Sequence, residues 1–261
     1  MATADLSPTG PPLIELVAAS ISSAQEPDVA LLAGVNWKLR AGEFWAVGGL
    51  HWTGKSDWLT TVAGLQRTAA GEHYLFGQEA NSLTQAQLVA ERLRVGLVFE
   101  HGGRLFTQMT VAENIALPLC YHRNASSEES HAAVAAMLEL VGLTEVAAQL
   151  AGQLNRGWRQ RVALARALIL QPEVLLLDNP LAGLDPRQMR WWLDTLEALN
   201  AGHPMFGKRP LSLVATTDDL RPWQDRARQF ALLQGGRWLS LGGRAELAAS
   251  AEPAVHEFMA V

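Results

Sequence analysis

The sequence has few of the residues that build a disulfide framework, a signal peptide or a membrane span. Cys120 is the single cysteine among 261 residues, which excludes an intramolecular disulfide and favours a reducing compartment. No unbroken apolar run reaches the roughly 18 residues that a membrane-spanning helix requires. Met1–Pro12 carries neither a positive segment nor an apolar core, so we expect no signal peptide there. Any role at a membrane would therefore depend on a partner.

Positive charge and metal-ligand pairs are scarce as well. The 21 Lys and Arg residues are outnumbered by 26 Asp and Glu residues, and the net charge of −5 argues against nucleic acid as a partner. The seven histidines have no cysteine partners at zinc-ligand spacing, so we expect solvated or loop histidines and no zinc site. Apolar residues are abundant instead, and a hydrophobic content of 49% supports a sizeable core.

A glycine-rich segment, Gly49–Ser56, fits the phosphate-binding pattern G-x-x-x-x-G-K-[ST]. The apolar run Glu43–Val47 before it predicts a buried strand, and Ser56–Leu65 after it predicts a helix. In this context the backbone N–H groups of the loop and the N-terminus of the helix would face an anion. Lys55 would reach the β- and γ-phosphates of a nucleotide, and the Ser56 hydroxyl would bind Mg²⁺.

Predicted strands and helices alternate along most of the chain, which indicates an α/β fold. An all-helical stretch at about residues 101–156 interrupts this alternation and predicts an inserted subdomain. Within it, a helix over Val111–Leu117 is predicted to end near Pro118, and Glu145–Leu150 is predicted to form another short helix. A capping box at Thr84 marks the start of an earlier helix.

A second nucleotide signal lies more than 100 residues beyond the glycine loop, where the apolar strand Val174–Leu177 closes on Asp178. Three further blocks accompany these two signals. They are Val98–Glu100 with Leu105–Asn114, then Leu154–Leu168, and last Leu177–Pro180 with Ala182–Asp185. In their order and spacing the blocks resemble the Q-loop, the signature helix, and the Walker B and D-loop motifs of ABC transporter ATPases, over about residues 13–245.

The resemblance implies an α/β fold of the P-loop NTPase (ABC ATPase) type, with a RecA-like core, an antiparallel β subdomain and an inserted helical subdomain. It places the ATPase domain at 13–245, after a disordered N-terminus at 1–12 and before a helical tail at 246–261. It further implies a cytoplasmic subunit, peripheral to the inner membrane, that binds ATP and Mg²⁺ and works with a membrane permease. Such subunits act as a homodimer, or as a heterodimer with another ABC ATPase.

Two stretches are similar to the Mla-type (MCE-associated) phospholipid-transport branch of the family, namely Leu105–Asn114 and the tail Ala245–Phe258. This likeness implies a phospholipid or another hydrophobic molecule as the cargo. It also implies an MCE-type substrate-binding protein as a further partner. The alternative function is a non-transport regulatory or sensor pseudo-ATPase on the same fold, with a soluble protein partner.

The resemblance also predicts the residues of the site, position by position. The nucleotide-binding set is Gly49, Trp52, Thr53, Gly54, Lys55, Ser56, Asn155 and Gly157. The metal set is Ser56, Asp178 and Glu100. The catalytic set is Asn179, Thr217 and Glu100. Because sites of this family are shared between two subunits, the signature residues in the first set would act on the nucleotide of a partner.

Three catalytic positions depart from the family pattern. The Q-loop glutamine is Glu100, the glutamate after the Walker B aspartate is Asn179, and the switch histidine is Thr217. An amide cannot accept a proton from water at neutral pH, and this removes general-base help worth about 10²–10⁴-fold. We therefore predict that ATP·Mg²⁺ binds and that its hydrolysis is weak or lost. The alternative is that Glu100 replaces the missing base, which requires a matching position as well as a carboxylate.

Binding positions depart from the pattern too. Trp52 replaces a glycine inside the phosphate loop, and Leu154–Trp158 keeps only one glycine of the signature. The bulk of Arg156 and Trp158 stands where backbone must approach phosphate closely. Residues 1–36 contain no aromatic side chain to stack on adenine. Nucleotide binding is therefore a property to be measured in this chain, and not one to be assumed.

Overall fold

The computed structural model describes residues 10–102, 104–123 and 127–250, together with Val255 and Phe258. Its strands are β1 (Ile14–Ser22), β2 (Ala30–Leu39), β3 (Phe44–Gly49), β4 (Ala70–Leu75), β5 (Gln78–Glu79), β6 (Val95–Val98), β7 (Val174–Leu177), β8 (Ser212–Thr217), β9 (Gln229–Gln234) and β10 (Arg237–Gly242). Its α-helices are α1 (Lys55–Val62), α2 (Gln85–Arg92), α3 (Val111–His122), α4 (Ser127–Val141), α5 (Arg156–Leu168), α6 (Pro186–Gly202) and α7 (Arg244–Ala249). Most of the predicted disordered N-terminus and of the predicted helical tail lies outside the described residues.

The central sheet has six strands in the order β10-β9-β3-β8-β7-β6. Every neighbouring pair in it is parallel except β9 and β10, which form a hairpin through Gly235 and Gly236. Strands β3, β7 and β8 are buried along their whole length. Burial on both faces is the reason why these strands are continuous apolar runs in the sequence. Because the strands are parallel, their carboxyl ends meet at one edge of the sheet.

A smaller antiparallel sheet, in the order β2-β1-β4-β5, corresponds to the predicted β subdomain. Its apolar face shares one core with α1 and with residues of β3. Four tryptophans stand at this junction, with ring centroids 5.0–6.3 Å apart: Trp37, Trp45, Trp58 and Trp238. Their packing ties the small sheet to the strand that leads into the glycine loop.

Between β6 and β7 lie α3 and α4, which pack on α5. Helix α3 runs through Pro118 for another turn, so the prediction that it ends there is wrong. A proline removes one backbone hydrogen bond from a helix interior. The helix continues because Ile115 and Leu119, on either side, are both buried in the core, and tertiary burial supplies most helical stability in proteins.

The short helix predicted at Glu145–Leu150 is also wrong, because only the single 3₁₀ turn Thr144–Val146 forms there. The backbone of this segment forms hydrogen bonds to the start of α3 instead. The carbonyl oxygens of Ala147 and Gln149 accept the N–H groups of the first two residues of α3 at 3.0 and 2.9 Å. These N–H groups have no partner within their own helix, so the segment caps α3 and does not extend as a helix.

Across the described ranges, no helix combines the length and the apolarity needed to cross a membrane.

Candidate functional site

Three strands of the central sheet end around one cavity. Strand β3 leads into the glycine loop, β6 leads to Glu100, and β7 leads to Asp178 and Asn179. The cavity has a volume of ≈ 300 Å³. It is lined by Leu50, His51, Trp52, Thr53, Gly54, Lys55, Ser56, Asp57, Glu100, Asp178 and Asn179. The fold thus brings most of the predicted nucleotide and metal residues to one place.

The glycine loop adopts a conformation that requires its glycines. A Cβ at Gly49 would lie 2.6 Å from Thr53 Oγ1, and Gly54 has a φ of 85° directly before α1. Trp52 has a φ of 67°, which a bulky residue rarely adopts. Its side chain is 97% exposed, so the indole projects from the loop into solvent. Leu31, an aliphatic residue of the small sheet, lies against Gly54, and its Cβ would be 3.1 Å from a Cβ added there.

Lys55 is the first residue of α1, and its side chain turns back beneath the loop. Its Nζ donates to the carbonyl oxygens of Gly49 and, at 2.9 Å, of Leu50. Burial lowers the pKa of Lys55, while the negative charges of Asp218 and Asp178 raise it. An anion in the cavity would stabilise the protonated amine further. Phosphate oxygens could then replace the two carbonyl oxygens as its acceptors.

A pair of oxygen donors next to Lys55 fits a magnesium ion. Ser56 Oγ donates to Asp178 Oδ2 at 2.6 Å. Burial raises the pKa of Asp178, whereas hydrogen bonds from Ser56 and Thr216 lower it. Mg²⁺ is commonly bound by one or two carboxylates together with substrate phosphates. Within the described residues no group of three or more His, Cys, Asp or Glu side chains could hold a metal by itself, so bound phosphate would have to complete the site.

Thr216 belongs to this site, although the sequence patterns did not single it out. Its Oγ1 donates to Asp178 Oδ1 at 2.9 Å and accepts the backbone N–H of Asn179 at 3.1 Å. The residue is completely buried at the end of β8. A buried hydroxyl needs a hydrogen-bond partner. The available signal was therefore the pair of threonines, Thr216 and Thr217, that follows the apolar run Leu213–Ala215 at the end of β8.

Asn179 and Glu100 meet in the wall of the cavity. Asn179 Nδ2 donates to Glu100 Oε1 at 3.4 Å. The backbone of Asn179 is left-handed, with a φ of 43°, a conformation that asparagine adopts more often than most residues. His101 Nδ1 lies 3.5 Å from the same Glu100 oxygen. A carboxylate is therefore present beside position 179, but residue 100 supplies it.

Four predicted site residues are not among those that line the cavity. Gly49 lies at the end of β3, just before the lining residues of the loop, and the other three lie elsewhere. Thr217 Oγ1 donates to the carbonyl of Asp219 at 2.8 Å and accepts its N–H at 3.1 Å, so this hydroxyl closes a turn. Asn155 caps the first turn of α5 with its side chain. Gly157 faces Gln188, whose Nε2 would lie 2.7 Å from an added Cβ. The nucleotide roles of these residues stay predictions, and those of Asn155 and Gly157 require a second subunit.

Comparisons with known proteins identify the family to which this chain belongs. The family model described as ABC transporter matches residues 32–182. Methionine import ATP-binding protein MetN of Mannheimia succiniciproducens is 33% identical over 216 residues, which are 83% of this chain and 60% of that protein. MetN of Caulobacter vibrioides is 34% identical over 216 residues, 83% of this chain and 63% of that protein. The chain thus spans less than two thirds of the length of these relatives.

Solved structures agree in fold. A dimeric ATP-binding cassette in a post-hydrolysis state, bound to ADP and Pi, superposes with a TM-score of 0.77 at 27% identity, covering 88% of this chain and 99% of its own. CbiO1 from Clostridium perfringens, part of the ABC transporter complex CbiONQ, has a TM-score of 0.77 at 21% identity and covers 93% of both chains, which supports the fold alone. These matches confirm the predicted ABC ATPase fold. The chain belongs to the ABC transporter family and carries its ATP-binding domain.

Proposed function

We propose that this chain binds ATP·Mg²⁺ in the glycine-loop cavity as the nucleotide-binding subunit of an ABC transporter. The observation that carries the proposal is the convergence of Lys55, Ser56 and Asp178 in one cavity, with the amine and the hydroxyl–carboxylate pair side by side. The dimeric, ADP-bound neighbour supports a cycle in which ATP closes a dimer of two such subunits and hydrolysis reopens it.

We propose that ATP hydrolysis, the step that reopens the dimer, is slow in this chain. Asn179 presents an amide where a proton acceptor would speed the attack of water. Thr217 uses its hydroxyl within a turn and does not line the cavity. A subunit of this kind would use ATP mainly to hold the closed dimer.

Calorimetry and a steady-state ATPase assay on the purified chain test both parts of the proposal. We expect saturable binding of ATP that requires Mg²⁺, together with a turnover below about 1 s⁻¹, the lower end of the ordinary enzyme range. Absence of any binding heat would contradict nucleotide binding and leave a scaffold on the ABC fold. Turnover well above this rate would contradict slow hydrolysis but leave the binding proposal intact.

A groove beside α3 is the proposed contact with a membrane permease. We call it the α3 groove, and it has a volume of ≈ 320 Å³. Its walls include Phe106, Leu117, Pro118 and Tyr121, together with the basic side chains Arg92, His122 and Arg166. Phe106 and Tyr121 are 57% and 77% exposed, unusually high values for aromatic side chains. Exposed aromatics around an apolar groove are typical of a protein-binding surface.

Replacing Phe106 and Tyr121 together by alanine is expected to reduce co-purification with a permease by at least about tenfold, because aromatic anchors commonly carry about 2 kcal/mol or more of binding energy. ATP binding should be unchanged, since neither side chain lines the glycine-loop cavity. Val29→Ala is the matched control, because Val29 is 43% exposed outside the groove. The measurement is affinity capture from a detergent extract of membranes. Capture of a soluble partner alone would favour the regulatory alternative.

The class of the transported cargo is proposed from the names of the relatives. The curated relatives compared above are named for methionine import, and their names do not support the predicted phospholipid cargo or the MCE-type partner. These names favour a small polar solute. From its membership of the ABC transporter family, we propose that the chain acts on the cytoplasmic side, held at the inner membrane through its permease.

A further inference from the structure

Three carboxylates line the glycine-loop cavity, and two of them are already engaged. Asp178 accepts from two hydroxyls and is 5% exposed. Asp57 Oδ1 accepts the backbone N–H of Ala24 at 2.7 Å. The third is Glu100, whose side chain is 36% exposed and whose Oε1 lies 3.4 Å from Asn179 Nδ2 and 3.5 Å from His101 Nδ1. Glu100 therefore combines partial exposure with a place in the cavity wall beside Asn179.

The histidine of the cavity is less suitable as a proton acceptor. His51 is 78% exposed, and its Nε2 lies 3.9 Å from Asp218 Oδ2. It stands on the loop before Lys55 and is in contact with solvent over most of its surface. A general base must be held at a defined distance from the water it activates. An exposed side chain on a loop does not satisfy this requirement.

Asn179 contacts Glu100 through its side-chain amide. The side chain of Asn179 is 4% exposed, and its backbone N–H is bound by Thr216 Oγ1. Its Nδ2 donates to Glu100 Oε1 at 3.4 Å. An amide at this position cannot accept a proton, but it can orient the neighbouring carboxylate that does. The two residues are 79 positions apart in sequence, so only the fold brings them together.

We propose that Glu100 accepts the proton of the attacking water, and that Asn179 is a positioning residue that orients Glu100. This proposal rests on the binding of ATP in the cavity as proposed above. In the step, the water oxygen forms a bond to the γ-phosphorus while the bond from that phosphorus to the β–γ bridging oxygen breaks. ADP leaves with the electron pair of the broken bond, and the water proton passes to Glu100. Turnover is slow because a part-exposed, hydrated carboxylate is less preorganised than a buried one.

The first test is Glu100→Gln, which keeps the shape of the side chain and removes its basicity. The turnover kcat should fall by at least about 100-fold, within the range for loss of a general base. The Kd for ATP and the Mg²⁺ concentration that supports binding should stay within threefold of the unmodified chain, by calorimetry. Glu72→Gln is the control, because Glu72 lies on β4 and bonds Tyr74 outside the cavity. Its kcat should be unchanged.

A second test exchanges the two functional groups. In the double variant Glu100→Gln, Asn179→Glu, the carboxylate and the amide swap places, and we expect turnover at or above that of the unmodified chain. Asn179→Ala should lower kcat about tenfold and leave KM within twofold, since positioning acts on the chemical step. If a thermal melt shows that the double variant does not fold, the proposal is judged by the kcat values of Glu100→Gln and Asn179→Ala alone.

A third readout does not depend on the rate assay. Analytical ultracentrifugation with ATP and Mg²⁺ should show Glu100→Gln as a dimer that persists for hours, while the unmodified chain returns to monomer as ATP is consumed. The proposal is overturned if Glu100→Gln keeps its kcat within twofold, or if the unmodified chain has no turnover. It is also overturned if the variant loses Mg²⁺-dependent binding, which would make Glu100 a metal ligand. Failure of the unmodified chain to bind ATP would instead overturn the proposed function itself.

Discussion

Replacement of Lys55 by alanine is expected to weaken ATP binding by about 10²–10⁴-fold. Hydrogen bonds to charged groups contribute about 1.5–3 kcal/mol each, and an amine in this position can give one to each of two phosphates. The side chain of Lys55 is buried beneath the loop, where an effective dielectric below that of water strengthens such contacts. The measurement is isothermal titration calorimetry with ATP and Mg²⁺.

Lys38→Ala is the matched control for this experiment. Lys38 Nζ forms an ion pair with Glu15 at 2.8 Å, with half of the lysine side chain exposed. Exposed pairs of this kind contribute little to stability, and Lys38 does not line the glycine-loop cavity. Its Kd for ATP should equal that of the unmodified chain. A Kd for Lys55→Ala within threefold of the same value would contradict phosphate binding by this loop.

Replacement of Trp192 by alanine is expected to lower the free energy of unfolding by about 3–5 kcal/mol, as is typical when a buried aromatic side chain is removed. Trp192 lies on α6 and is 1% exposed within the core beneath the central sheet. Urea denaturation followed by circular dichroism measures the change. A loss below about 1 kcal/mol would show that the surrounding core collapses into the space.

The neighbouring Trp191 provides an internal comparison. It is partly buried, and the guanidinium of Arg161 stacks over its ring at 3.7 Å from the centroid. A cation–π contact of this type contributes about 0.5–2 kcal/mol, so Trp191→Ala should cost less than Trp192→Ala. Adjacent residues on a helix point in different directions. The structure decides that the ring of Trp192 is in the core, whereas that of Trp191 is partly covered by Arg161 of α5.

Local patterns were sufficient to predict the elements on either side of the phosphate site. The glycine loop between an apolar strand and a helix was recognisable because the strand, the loop and the helix are each defined by residues that are close together in the sequence. The strand Val174–Leu177 was predicted with its observed bounds, since burial on both faces requires a continuous apolar run. The capping box of Thr84 with Gln87 forms as predicted, because it involves only residues within one turn.

Features that depend on distant packing were not predictable in this way. The sequence around Pro118 contains a helix-breaking signal, and only the burial of its neighbours overrides that signal. Thr216 carries no motif of its own and became part of the site through its contacts with Asp178 and Asn179. The sequence of Glu145–Leu150 predicts a helix, but in the structure its backbone carbonyls cap the start of α3.

The sequence by itself determined the family and the phosphate loop, and it predicted which positions of the site depart from the family pattern. These follow from residue types and spacings along the chain, which need no coordinates. The tertiary structure alone decided that Glu100 lies beside Asn179, that Thr216 joins Asp178, and that the indole of Trp52 faces solvent. The physical reason is that a proton acceptor or an exposed ring is defined by distances and solvent access, and these arise where the ends of separate parallel strands meet.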